Sequence, residues 1–330
     1  RKMDKNAQEV WSLDQAQKNT RKSNVECYVR AFAILRKGDR TKAQAHPTPV
    51  MNEAWSRIMA SEMPAPPNED FLAKTMRELE ELAEKDETWV ITTKHVKEAF
   101  TRSRLRKATG TDKLPSAAIR YLERDDVLTA YAEWFTKILN DPTNHTDENW
   151  KEGLVALVPK NANPSPTEYR PICLLQHIAK IFEAAVDALM TELVPDEYFS
   201  TSQSAYKHHV GVMEASLENV CEQERCRQTR LPMGQVYCDV KKAFDSVTAR
   251  ALAAAMRRKG YPPRICMFVY HWVTNCKRKL ILQGNDDTWV SLTRGVPQGG
   301  VLSPKLFIIA MDCLTAYLAG EEVLGVVRGE

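Results

Sequence analysis

The stretch VYCDVKKAFDSV, Val236–Val247, places a carboxylate directly after an apolar, β-prone run. The run Val236–Cys238 predicts the end of a buried strand, and Asp239 follows it at once. An unpaired charge at such a position is costly unless a cation balances it. Asp239 and the carbonyl of Val240 could bind a hard divalent ion. A helix cap is an equally good interpretation of Asp239 from these residues alone, and Asp245 is better explained as a cap than as a metal ligand.

The bulk composition indicates an ordinary globular protein with reduced cysteines. The chain has 330 residues, a formal net charge of +3, and eight cysteines without a C-x-x-C pair. Its length favours about two domains, and the scattered cysteines argue against a zinc site or a disulfide framework. The expected location is therefore intracellular. No apolar run approaches the roughly 20 residues of a membrane span, so no membrane partner is expected.

The chain divides into three segments by composition. Residues 1–67 form a basic extension or linker, with helical pieces broken at AHPTPVMNEAW and closed by MPAPPNED. Residues 68–140 are predicted to be helical. Residues 141–330 alternate short strands with helices, including the strand GLVALVPK and the hairpin KLILQGNDDTWVSL. The expected fold class is α+β, with a small, largely antiparallel sheet covered by helices on one face.

The stretch TRGVPQGGVLSP is a glycine-rich loop that enters a helix. Gly295, Gly299 and Gly300 permit close approach of the backbone to a ligand, and Gln298 offers both a donor and an acceptor. Such a loop at a helix N-terminus can bind an anion. Many ordinary turns use the same residues, so this pattern alone is weak.

The stretch LVPKNANPSPTEYRPICLL carries two basic residues that flank a loop. Lys160 and Arg170 could converge on phosphate groups, Arg by bidentate contact and Lys as a point charge. A solvated loop with two exposed bases is the more common explanation of such a pair.

Five motifs in sequence order resemble one family. KATGTDKLP, LVPK…YRPICLLQHIAKIFE, QSAYKHHVGVMEA, YCDVKKAFDSV and RGVPQGGVLSP resemble the reverse transcriptase domain of non-LTR (LINE-type) retrotransposons and, more distantly, that of group II introns. The resemblance covers roughly residues 91–330. It implies an RNA-directed DNA polymerase with right-hand architecture, comprising fingers and part of the palm after a helical extension, with the thumb absent.

The resemblance also implies roles for individual residues. Asp239 would be the first catalytic carboxylate and a ligand of both Mg²⁺ ions, and the Val240 carbonyl would ligate the ion that holds the triphosphate. Phe244 would be a steric gate against a ribose 2′-hydroxyl, and the Gln298-Gly299 pair would contact the incoming nucleotide. The other implied roles are phosphate binding by Arg170 and, more weakly, Lys160, and template contact by Gly110, Asp112, Gln203 and Tyr206.

One motif of the family is missing. Its metal site needs an aromatic-x-Asp-Asp turn, and none occurs in the 330 residues. The pairs Asp125-Asp126 and Asp286-Asp287 lie at the wrong place in the motif order and are better explained as solvated positions. The expectation is a chain truncated before that turn, which leaves an unpaired sheet edge beside Asp239 and little or no polymerase activity by the chain alone.

The implied partners are an RNA template, a DNA primer, dNTPs and the missing C-terminal palm and thumb, with a nuclear location if the chain belongs to an active element. The alternative is a non-catalytic polymerase-like protein that binds RNA or scaffolds an assembly. The basic run RSRLRK, Arg102–Lys107, suits both through phosphate contacts.

Overall fold

The computed structural model describes residues 48–59, 69–102, 109–114, 124–161, 164–201, 203–207, 210–240, 242–281 and 289–319. The described residues fall into two compact units. One contains 48–51 and Val158–Arg170, and the other contains the remaining described residues. The helices are α1 Thr48–Met59, α2 Glu69–Lys85, α3 Thr93–Arg102, α4 Asp125–Asn140, α5 Pro142–His145, α6 His177–Leu193, α7 Val212–Thr229, α8 Ala243–Ser246, α9 Ala249–Arg258, α10 Pro263–Val273 and α11 Ser303–Ala319. The strands are β1 Glu152–Pro159, β2 Tyr169–Leu174, β3 Lys277–Leu280 and β4 Trp289–Ser291.

Local sequence explains where several helices begin. Thr248 is the N-cap of α9, and its Oγ1 accepts a hydrogen bond of 3.3 Å from the backbone N–H of Ala251. Pro263 occupies the first turn of α10, where its missing N–H costs nothing. Asp141 caps the short α5 by accepting from the Asn144 N–H. These caps fix the ends of the helices that surround the core.

The four strands form one small mixed sheet in the order β2-β1-β3-β4. Strands β1 and β3 pair in parallel, with Glu152 opposite Lys277, while β3 and β4 pair antiparallel as a hairpin. The predicted hairpin is confirmed, although its turn, residues 282–288, lies outside the described residues. The expectation of a largely antiparallel sheet is wrong at the β1–β3 pairing.

The core of the larger unit is an aromatic cluster around α6. Phe182 is fully buried, and its ring lies 5.0 Å from that of Trp272 and 5.1 Å from that of Phe135. Trp150 and Phe268 pack against the same ring at 5.7 Å. Rings at these distances contribute through both area burial and edge-to-face contact. Helix α6 is therefore the element on which the flanking helices converge.

Two local predictions are wrong. Residues 231–240 have no regular secondary structure and are exposed, so Val236–Cys238 is not a buried strand, and the predicted palm edge does not form there. Few apolar partners surround this segment, since Val236 is 88% and Tyr237 is 79% exposed. The stretch predicted as a break near residue 50 is instead helix α1, because Pro49 falls in the first turn, where a helix tolerates it.

Helix α11 is rich in apolar residues but does not meet the requirements for a membrane-spanning helix. Within the described ranges, no helix is both long enough and apolar enough to cross a bilayer.

Candidate nucleotide and template site

The glycine-rich loop at residues 295–300 is fastened at its start to the segment that carries Phe244. The N–H of Val296 donates to the Phe244 carbonyl at 2.9 Å, and the N–H of Gly295 donates to the Val247 carbonyl at 2.7 Å. The Phe244 ring stacks on Phe307 of α11, with centroids 5.0 Å apart and planes at 21°. The predicted sugar gate and the predicted nucleotide loop are therefore neighbours.

The middle of the same loop is fastened to strand β2. The N–H of Cys173 donates to the Gln298 carbonyl at 2.7 Å. Gly299 has φ +133°, and a Cβ at this position would lie 2.3 Å from the Cys173 carbonyl oxygen. No side chain fits so close to a backbone oxygen, so glycine is required by both conformation and space.

The end of the loop is fastened by a buried carboxylate that the sequence analysis did not single out. Glu183 on α6 is 2% exposed. Its Oε2 accepts from the Val301 N–H at 2.6 Å, and its Oε1 accepts from the Trp272 indole N–H at 3.0 Å. A Glu in an otherwise apolar stretch of α6 was the available signal, because buried carboxylates need specific partners.

The motif Thr109–Asp112, predicted to contact template, is docked against the start of α6. The Asp112 Oδ2 accepts from the His177 N–H at 3.0 Å, and the Gln176 Nε2 donates to the Thr111 hydroxyl at 2.9 Å. A Cβ on Gly110 would lie 2.6 Å from the Leu175 carbonyl. Asp112 thus satisfies one of the orphan N–H groups at this helix start.

The junction between β2 and α6 brings the two motifs together. Cys173 holds the nucleotide loop and His177 holds the template motif, only four residues apart. At about 3.3–3.6 Å per residue, the two anchor points lie within about 14 Å of one another. One short backbone segment therefore contacts two motifs that are far apart in sequence.

Asp245 lies against the same loop in a half-buried position. A Cβ on Gly295 would approach the Asp245 Cα to 3.0 Å. Burial raises the pKa of the Asp245 carboxyl, while the charges of Lys242 and Arg294 act in the opposite direction. The predicted capping role for Asp245 is wrong, because Thr248 caps the following helix.

A cavity of about 40 Å³ lies beside the loop. Its walls include Trp55, Asp245, Arg278 and Gln298, and the Trp55 side chain is 3% exposed. Ligand pockets are about 300–1,000 Å³, so this cavity is too small to hold a nucleotide.

Asp239 does not lie in a helix or strand. It lies with Val240 in the exposed irregular segment that precedes α8. Across the described ranges, no group of three or more His, Cys, Asp or Glu side chains could hold a metal ion. These residues therefore do not fit the two-ion magnesium site that the resemblance implies, and the carboxylates that would complete it are not among them.

The other predicted site residues lie at varied positions. The Gln203 Oε1 accepts from the Ala205 N–H at 3.0 Å, and Tyr206 is 58% exposed with φ +56°. Lys160 and Arg170 are exposed residues of the smaller unit. Arg102 forms an ion pair of 2.8 Å with Asp187, so the predicted phosphate-binding run begins with a structural arginine, and its residues 103–107 lie outside the described ranges.

Comparison with known proteins agrees with the motif order. The family described as "Reverse transcriptase (RNA-dependent DNA polymerase)" matches residues 158–324, about half of the chain. The chain is 30% identical over 185 residues to the "Retrovirus-related Pol polyprotein from type-1 retrotransposable element R2" of Nasonia vitripennis, covering 51% of this chain and 17% of that protein. It is 25% identical over 237 residues to the "RNA-directed DNA polymerase from mobile element jockey" of Drosophila melanogaster, covering 71% of this chain and 25% of that protein.

A third relative is the "Probable RNA-directed DNA polymerase from transposon X-element" of Drosophila melanogaster, at 24% identity over 65% of this chain and 24% of that protein. The chain thus spans a quarter or less of each of these three relatives. The mixed architecture, with eleven described helices around a four-stranded sheet, is consistent with the matched domain. The chain belongs to the reverse transcriptase family, and the relatives that it resembles come from non-LTR retrotransposons.

Proposed function

We propose that this chain is the fingers and partial palm of an RNA-directed DNA polymerase, which binds an RNA template paired to a DNA primer and selects the incoming dNTP. The reaction of the complete enzyme would add that dNTP to the primer 3′ end. The observation that carries the proposal is the β2–α6 junction, which holds the Gln298 loop through Cys173 and the template motif through Asp112.

Selection of deoxynucleotides is assigned to Phe244. Its backbone carbonyl anchors the loop of Gln298, and its ring is braced face to face by Phe307. Stacking on Phe307 limits rotation of the Phe244 ring, so the ring presents a fixed surface. A ribose 2′-hydroxyl placed against this surface would clash, whereas a deoxyribose would not.

The chain alone is proposed to polymerise little or nothing. Its 330 residues contain no aromatic-x-Asp-Asp turn, and the described carboxylates form no metal cluster. Magnesium, when bound by a complete set of carboxylates, would stabilise the charge that develops at the reacting phosphate. Without that set, this chain's own groups bind and orient nucleic acid and nucleotide but do not enforce an in-line reaction.

The test is a dissociation assay with a labelled RNA template–DNA primer hybrid whose primer ends in a dideoxynucleotide. The native chain should bind the hybrid with strong salt dependence, and the complementary dNTP, but not the corresponding NTP, should slow release of the hybrid. Phe244→Ala should allow the NTP to act as well. The matched control is Phe71→Ala, which removes a 48% exposed ring from α2.

Failure to bind the hybrid, or equal effects of dNTP and NTP on the native chain, would refute the proposal. A parallel primer-extension assay with magnesium and an extendable primer tests the inactivity. Robust synthesis that depends on Asp239 would show that part of the proposal to be wrong.

A second candidate is a polymerase-like protein that binds RNA without catalysis. The exposed, irregular setting of Asp239 favours it, because a catalytic carboxylate must be held in place. In that case the hybrid should bind, but no nucleotide should change its release.

A further inference from the structure

Glu183 is a buried carboxylate of the larger unit whose two oxygens connect three elements. It belongs to α6, its Oε1 accepts from Trp272 on α10, and its Oε2 accepts from Val301 at the entrance to α11. The Val301 contact spans 118 positions in sequence. Only two residues separate Val301 from Gln298, so the carboxylate binds the loop backbone close to Gln298.

The hydrogen bond from the Val301 N–H to Glu183 holds the C-terminal end of the loop, beyond the contacts made by Phe244 and Cys173. The start of the loop is held by the Phe244 carbonyl and its middle by the Cys173 N–H, but its last turn is held by Glu183. Val301 lies just before α11 in a partly buried position, where a backbone N–H needs an acceptor, and the Glu183 carboxylate supplies it. Removing it would leave the backbone of Val301 without this anchor, just before the buried start of α11.

Burial raises the pKa of the Glu183 carboxyl, while the hydrogen bonds from Trp272 and Val301 oppose that rise. Both oxygens accept from N–H groups, a pattern that an ionised carboxylate satisfies fully and an amide satisfies only once. The isosteric change Glu183→Gln therefore leaves either the loop N–H or the Trp272 N–H facing an amide NH2 group instead of an acceptor, and it creates no cavity.

We propose that Glu183 is a positioning residue that fixes the Gln298 loop and thereby sets the affinity for the incoming nucleotide. The inference rests on the proposed function, since it assumes that Gln298 contacts that nucleotide. Glu183 itself would not touch the substrate.

A matched control lies one helical turn further along α6. Asp187 is 8% exposed and also reaches α11, where its Oδ1 pairs with the Lys305 ammonium at 2.8 Å. Asp187 binds the Lys305 side chain in the body of α11, and its Oδ2 pairs with Arg102 of α3 at 2.8 Å. Asp187→Asn therefore perturbs the same helix pair but leaves the anchor at Val301 intact.

The first measurement is amide hydrogen exchange of the full chain. Glu183→Gln should speed exchange in residues 295–301 about tenfold relative to residues 125–140 of α4, which contain no partner of Glu183 named above, a factor equal to about 1.4 kcal/mol. Asp187→Asn should leave that ratio within about twofold. Equal acceleration of both segments by Glu183→Gln would overturn the inference, because it would indicate a general loss of stability.

The second measurement is the concentration of complementary dNTP, with magnesium, that half-maximally slows release of the RNA–DNA hybrid. Glu183→Gln should raise it about tenfold and leave hybrid affinity without dNTP within about twofold, and Asp187→Asn should leave the dNTP requirement within about twofold. An unchanged dNTP requirement, or an equal loss of hybrid affinity, would overturn the inference. If the native chain gives no dNTP-dependent complex, the proposed function fails on the native chain itself, and the exchange ratio alone then decides whether Glu183 positions the loop.

Discussion

Replacing Gly299 by Ala should push the glycine-rich loop, residues 295–300, away from strand β2 and lower the free energy of unfolding of the larger unit. Gly299 has φ +133°, a region that residues with a Cβ rarely adopt, and the strain of holding Ala there is about 1–3 kcal/mol. The new Cβ would also lie 2.3 Å from the Cys173 carbonyl oxygen. Because that oxygen belongs to the backbone of β2, the strand and the loop must separate.

The separation would break the 2.7 Å hydrogen bond between the Cys173 N–H and the Gln298 carbonyl. Loss of such a bond costs about 0.5–1.5 kcal/mol. Ala also restricts the unfolded chain, which returns about 0.4–1 kcal/mol. The expected loss in free energy of unfolding is therefore about 0.5–4 kcal/mol, with a central value of about 2 kcal/mol.

Two other glycines serve as controls that separate the effect of backbone strain from the effect of the steric clash. Gly260 has φ +90° with nothing within 4 Å of a built Cβ, so Gly260→Ala reports strain without a clash. Gly234 also has open space and no such φ, so Gly234→Ala should be nearly neutral. Urea unfolding followed by tryptophan fluorescence measures all three. If Gly299→Ala and Gly260→Ala lose the same free energy within about 0.5 kcal/mol, the close approach of loop and strand is wrong.

Three further predictions concern the core, the template motif and pH. Phe182→Ala should lower the free energy of unfolding by about 3–5 kcal/mol, because it empties the centre of the aromatic cluster; a loss below about 1.5 kcal/mol in urea unfolding would contradict that packing. Asp112→Ala should cost about 0.5–2 kcal/mol by uncapping the His177 N–H, and Asp112→Asn, which keeps an acceptor oxygen, should cost less in the same assay. Burial raises the folded-state pKa of the Asp245 carboxyl above its ordinary value of 3.8. Between these two pKa values the folded chain binds more protons than the unfolded chain. The stability that Asp245 contributes therefore falls as the pH rises through this range. Asp245→Asn should flatten this fall in a pH series of unfolding curves, and an unchanged slope would exclude Asp245 as its source.

Local sequence patterns were sufficient to predict most of the helices and the resemblance to the reverse transcriptase family. The apolar periodicity of α2, α6, α9 and α11 specified them because each buries one face or more against the core. The motif order specified the reverse transcriptase relationship, since five short stretches in one order rarely coincide by chance. The neighbourhood of Phe244 and Gln298 also agrees with that resemblance.

Other features depended on contacts that no local pattern encodes. The run Val236–Cys238 has strong β-propensity, but a strand needs a partner for its backbone, and the described residues supply none there. The sheet is mixed because β1 pairs in parallel with β3, more than a hundred positions away. A period-two pattern specifies a strand but not its neighbour.

The sequence by itself determined the lineage, the helical framework and the residue types of the nucleotide loop, because these follow from short-range spacing and motif order. Only the tertiary structure decided that Glu183 closes that loop, and that Cys173 and His177 contact that loop and the template motif from one short segment. The physical reason is that a buried carboxylate or backbone N–H takes its partner from whatever the fold brings within hydrogen-bond reach. That partner can lie anywhere in the chain.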